Sequence, residues 1–148
     1  MGQPDQYEPD ADVQEFLDAM AWLHRVGEAA LSGDEPWAHR VARATELQMR
    51  ALAANPETAA LYERALMRRD RAMTLAYDQM ARQWASILAD AHGDDGLPGL
   101  RFELVTAAIC QALTALRADG MELPERTEAA WAICLTCVDT FEPEPQLA

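Results

Sequence analysis

Between Asn55 and His92 the apolar side chains Tyr62, Leu66, Met73, Tyr77, Met80, Trp84 and Leu88 return at every third, fourth or seventh position. That recurrence traces one face of an α-helix. The polar residues Glu63, Arg64, Arg68, Arg71, Asp78 and Arg82 fall opposite. Asn55 is placed to cap the first amides, Pro56 suits a first helical turn, Glu57 sets a negative charge at the positive end of the dipole, and Gly93 supplies the stop. At a rise of ~1.5 Å per residue, one helix over this stretch is on the order of 50 Å long. A helix of that length in a small domain either kinks or reaches past its own core.

The same periodicity predicts a helix from about Asp10 to Leu31, with Val13, Phe16, Leu17, Met20, Leu23, His24, Gly27 and Leu31 facing inward. Gly27 costs that helix roughly 1 kcal/mol relative to alanine, which implies close packing or a bend there. Ser32-Gly33 ends it. Asp34 is then placed to cap a second helix with Pro36 in its first turn and Trp37, Val41, Ala44, Leu47 and Leu52 as its apolar side. Pro56 pushes the residue before it out of the α region and closes that helix. The run GDDGLPG at 93–99 reads as a loop. A fourth helix follows over roughly Leu100 to Ala118, and a fifth from Pro124 to about Glu142. Residues 1 to 9 have no periodic face and read as a disordered acidic lead-in, and residues 143 to 148 as a tail. The expectation is an all-α, five-helix antiparallel domain over residues 10 to 142, built around one long central helix.

The last two helices differ from the others. Their polar residues, Glu103, Thr106, Thr114 and Arg117 on one and Glu125, Glu128, Thr136 and Asp139 on the other, make only narrow stripes. A helix apolar over most of its circumference is buried on more than one side, and five helices are too few to enclose two of their own so fully. The small residues Ala107, Ala108, Ala112, Ala115, Ala129 and Ala132 allow close approach. Two-fold packing would make an intermolecular four-helix bundle, with Ala108, Gln111, Ala112, Ala115, Trp131, Leu135 and Val138 at the dimer interface.

Composition supports the helical reading: of 148 residues, 50% are hydrophobic, β-branched residues are few, and no alternating run reaches strand length. The formal net charge of −13 sets the molecule against a nucleic-acid surface. The one basic cluster, Arg64, Arg68, Arg69 and Arg71, is interrupted by Asp70 and reads as a solvated helix face. The charge-free runs Leu104 to Leu116 and Ala129 to Val138 fall short of the ~20 residues that span a bilayer. The opening residues lack the pattern of a signal peptide. With Cys110, Cys134 and Cys137 in apolar helical pattern rather than in a disulfide framework, a reducing cytoplasm is the expected compartment.

No catalytic constellation emerges: no Gly-rich phosphate loop, no G-x-S-x-G and no H-E-x-x-H. The expectation is a non-enzymatic protein without cofactor or metal. Cys134 and Cys137 have C-x-x-C spacing, which puts both sulfurs on one side of a helix and leaves a thiol or metal sensor as an alternative. They lie mid-helix, away from the helix N-terminus where thiolates are stabilised. His24, on the apolar face of its helix, is more often a satisfied core histidine than a ligand or base. The Met and aromatic stripe of the central helix serves as core in most proteins, yet adaptable methionines with Tyr and Trp also suit a pocket for a hydrophobic small molecule.

The segment RATELQMRALAANPETAALYERALMRRDRAMTLAYDQMA, with its Asn-Pro-Glu corner leading into an Arg-rich helix, is followed by an Asp/Gly loop, an Ala-rich helix and a Leu-Pro-Glu turn into a final apolar helix. From about Val13 to Phe141 the chain resembles the C-terminal, effector-binding half of TetR/AcrR-type transcriptional regulators. The resemblance implies a homodimer through the last two helices and a hydrophobic small-molecule effector in a pocket beside the long helix. In this sequence that pocket side is Phe16, Met20, Met73, Tyr77, Met80, Trp84 and Val105. The family's basic N-terminal helix-turn-helix has no counterpart here, since residues 1 to 12 are acidic, so no direct nucleic-acid binding is expected. A helical interaction or scaffold protein with a filled core and no pocket is the rival reading.

Overall fold

The computed structural model describes residues 11–68, 70–93, 99–118 and 120–141. They form six helices and, among the described residues, no strand: α1 (Ala11–Glu28), α2 (Trp37–Ala54), α3 (Pro56–Met67), α4 (Arg71–His92), α5 (Gly99–Ala118) and α6 (Leu123–Phe141). The expected fourth and fifth helices are α5 and α6, each within one residue of its anticipated start. The lead-in at 1–9, the tail at 143–148 and Glu142 lie outside the described residues.

The single long helix is not formed. The chain leaves the helix at Arg68, which is extended (φ −77°, ψ 132°), and α4 begins anew behind Asp70, whose carboxylate accepts a hydrogen bond from the Met73 amide at 3.0 Å. Arg68 holds the corner by bonding Asp70 Oδ2 at 2.6 Å and reaching Asp12 of α1 at 3.8 Å. Periodicity could not show this break, because the interval from Ala65 to Met73 keeps both residues buried on the same side. Arg68, with its side chain 28% exposed, is therefore a structural tie and not part of a solvated face. Arg64 and Arg71 are exposed, and Arg69 lies outside the described residues.

Two caps also differ from expectation. Pro36 occupies the N-cap of α2 with no side-chain cap bond, so Asp34 does not serve there. Asn55 does not cap α3 through its side chain; its amide donates backward to Ala51 O at 2.8 Å and satisfies the C-terminus of α2 instead. Arg40 performs a related service for the α1–α2 connection, donating to Leu31 O at 2.8 Å and Glu35 O at 3.0 Å while its guanidinium lies over Trp37. Gly93 ends α4 in the left-handed conformation (φ 74°) as anticipated. Leu47 is exposed, because α2 turns Val41, Ala42, Ala44 and Thr45 inward instead.

The helices bury two separate apolar clusters. One gathers Phe16, Met20, Leu23, Ala65, Met73, Ala76 and Met80 from α1, α3 and α4. The other takes residues of α2, α4, α5 and α6, among them Val41, Leu88, Phe102, Ile109, Cys134 and Val138, together with Leu31 of the α1–α2 connection. α6 packs on α2 and α5, and α5 packs on α4 and α6. The chain thus covers two sides of each of its most apolar helices without help, more than the sequence pattern suggested. Val138, expected at an interface between copies, is 1% exposed and belongs to this core. Trp131 is tied within the chain by a 3.0 Å hydrogen bond from its indole N–H to Glu46 of α2 and an edge-on contact with His39. Among the described residues no helix is long and apolar enough to cross a membrane.

Candidate functional site

Where the two clusters meet, all six helices leave a cavity of about 160 Å³. Met20 and Leu23 enter it from α1, Leu52 from α2, Tyr62 from α3, Met80 and Trp84 from α4, and Ile109 and Leu113 from α5. Its wall is mostly apolar, with a few polar groups at particular positions, the usual make-up of a small-molecule site.

Of the residues anticipated for a pocket, Met20, Met80 and Trp84 line this cavity. Phe16, Met73 and Val105 do not; they are spent in the two clusters, with Phe16 fully buried. Tyr77 stands just behind the wall, stacked on Phe16 with ring centroids 6.5 Å apart. Its phenol is hydrogen-bonded with Tyr62 and Cys110, both of which line the cavity, and burial pushes its pKa well up. The α4 stripe is one helix wide, so its periodicity cannot say which of its members faces a void and which faces other side chains.

The polar part of the wall went unseen in the sequence, apart from His24. That imidazole is 6% exposed and stacks on Trp84 with centroids 5.4 Å apart and planes 25° from parallel. Desolvation brings its pKa down to about 4, so it is neutral near pH 7. It also borders a shallow outer cleft with Arg25, Glu28 and Gln83. Across from it, Gln48 donates to Leu23 O at 3.2 Å. A side chain at Gly27 would lie 2.5 Å from the Gln48 amide nitrogen and 2.7 Å from the Trp84 ring. Gly27 therefore marks close packing, not a bend, and lets Gln48 and Trp84 reach the cavity.

On α5 and α6 the wall carries Thr106 and Arg126. The Thr106 hydroxyl and the Arg126 Nε are both buried without a hydrogen-bond partner. A sequence signal existed for each: Thr106 interrupts an apolar run, and Arg126 puts a cation in the first turn of α6, the end of the dipole that disfavours one.

The cysteines have the opposite of a reactive environment. Burial pushes all three thiols up, Cys134 to about 11, and Cys134 donates to the Thr45 hydroxyl at 3.5 Å. Among the described residues no group of three or more His, Cys, Asp or Glu side chains is arranged to hold a metal ion.

The residues anticipated for a dimer interface are divided. Gln111 and Ala115 are exposed, Ala108, Ala112 and Leu135 half-buried, and Trp131 and Val138 engaged within the chain. Leu104, 45% exposed, joins Ala107, Gln111 and Ala115 in an exposed series spaced by three, four and four residues along α5. Comparison with family models, curated proteins and solved structures found no match to this chain.

Proposed function

We propose that this chain is a non-enzymatic ligand-sensing domain that holds a small hydrophobic molecule between its two core clusters. The observation that carries the proposal is the apolar cavity to which all six helices contribute. A void in that position is costly to leave unfilled, because its lining forgoes the dispersion contacts of close packing. A molecule bound there touches both clusters at once, so its occupancy couples the α1–α3–α4 side to the α2–α5–α6 side. Binding that differs between two arrangements of those sides shifts their populations.

The exposed series Leu104, Ala107, Gln111 and Ala115 supports homodimerisation through α5. Together these features suit the role that the sequence resemblance implies, the sensing and pairing half of a TetR-type transcriptional regulator, with DNA binding supplied elsewhere. The net charge of −13 fits a domain that does not touch nucleic acid.

Thermal unfolding against a panel of apolar compounds tests the sensing role. A compound present at about 100 times its Kd stabilises the folded state by ~2.7 kcal/mol. A panel that raises the midpoint for none of its members would favour a helical scaffold with an inert core. Sedimentation tests the pairing: a homodimer is expected, and Leu104→Glu with Ala107→Glu should make it monomeric while leaving the helical spectrum intact. A wild-type chain that sediments as a monomer removes that part of the proposal.

A further inference from the structure

The cavity wall is more selective than a hydrophobic slot. Five of the threonines in these helices, Thr45, Thr74, Thr114, Thr127 and Thr136, satisfy their hydroxyls by donating to the carbonyl four residues back. Thr106 does not, although it is 1% exposed and its Oγ1 is buried on the cavity wall. A wall meant only for hydrocarbon carries valine there at lower cost, since a buried hydroxyl without a partner is destabilising. A hydrogen-bonding group belongs in the occupant.

The second group is stronger. Arg126, in the first turn of α6, lines the same cavity, and its Nε is buried without a partner. Glu122, Glu125 and Glu128 are its near neighbours in sequence, yet among the described residues none forms an ion pair with it. The chain carries 25 acidic residues against 12 basic ones, so a half-buried cation without an acidic partner among the described residues goes against the prevailing charge. A guanidinium presents a planar fork that fits a carboxylate in two parallel hydrogen bonds. The helix dipole adds positive potential at the same end of α6.

Resting on the cavity proposed above as a ligand site, we infer that its occupant is a small amphiphile with one carboxylate, the acid group on Arg126 and the apolar body between Met20, Met80 and Trp84. The acidic surface of the protein disfavours such a ligand at long range, so Arg126 must supply its recognition locally.

Calorimetric titration with octanoate, 1-octanol and octylammonium, which share one tail and differ in the head, tests this. Octanoate should bind about tenfold or more tightly than 1-octanol, the scale of a hydrogen bond to a charged group, and octylammonium should bind weakest. In Arg126→Gln, octanoate should fall to parity with 1-octanol, and Arg126→Lys should keep part of the preference. Equal binding of octanoate and 1-octanol by the wild-type chain, or a preference for the ammonium, overturns the carboxylate while leaving the cavity as a ligand site. A preference for octanoate that persists in Arg126→Gln overturns the assignment to Arg126. Failure of all three probes to bind counts against the ligand site itself.

Discussion

At the scale of single residues, Gly27 and His24 show how the cavity is held open from behind. Alanine at position 27 gains helix propensity worth about 1 kcal/mol, but its methyl meets the rigid Trp84 ring at 2.7 Å and the Gln48 amide at 2.5 Å. Overpacking of that kind costs typically 1–3 kcal/mol. Gly27→Ala should therefore lower stability by roughly 1 kcal/mol in chemical denaturation and displace Trp84 enough to weaken ligand binding. His24 makes the fold sensitive to acid. Its folded pKa, about 4 against an ordinary 6.5, means that the unfolded chain binds the proton first. Its contribution to stability is complete above pH 6.5 and is lost as pH falls toward 4, by roughly 3 kcal/mol at most. The groups that share its outer cleft, Arg25 and Glu28, are solvent-screened and change this little. His24→Phe, which keeps the ring on Trp84, should flatten the stability profile between pH 6.5 and 4. An unchanged profile would show that other groups govern the acid response.

Among the elements, the corner at 68–70 divides what the periodicity joins. Apolar spacing fixes which face of a helix is buried, and α5 and α6 could be read from it almost to the residue, while α1 ends at Glu28, three residues before the expected Leu31. It carries no information about a break that conserves phase, and here Ala65 and Met73 remain on one side. The break is written instead in Asp70, a good N-cap residue three positions before the Met73 amide that it accepts from. Hydrogen bonding from Arg68, then the Met73 amide, keep its carboxyl below the usual carboxylate range. Stability from this cap is thus present above the ordinary carboxylate pKa and is lost as pH falls through the lowered one. Asp70→Ala should lower the thermal midpoint by a few degrees near pH 7 and by less in strong acid, where the wild-type cap is itself protonated. The cavity was less legible than the helices for a related reason. Met20, Met80 and Trp84 announced themselves as a stripe, whereas Thr106 and Arg126 reach the site only through the packing of α5 and α6 against helices distant in sequence.

Across the whole molecule, two apolar clusters do not merge into one core. A chain of this size has enough apolar surface to do so, and the cavity between them is where six helices fail to close. Phe16 anchors the smaller cluster; Phe16→Ala should cost about 3–5 kcal/mol without removing a single cavity-lining contact, so its effect on ligand affinity should be slight once folding is corrected for. The methionines offer the sharpest view of the site, because they are distributed across it. Met20, Met49 and Met80 line the cavity, Met73 is buried outside it, and Met67 is 81% exposed. The most direct measurement is a methyl spectrum of the protein carrying labelled methionine, recorded while octanoate is added. Shifts at Met20, Met49 and Met80 with none at Met67 and Met73 are the predicted result. A spectrum that does not move, or one in which only Met67 responds, would contradict a ligand held between the two clusters.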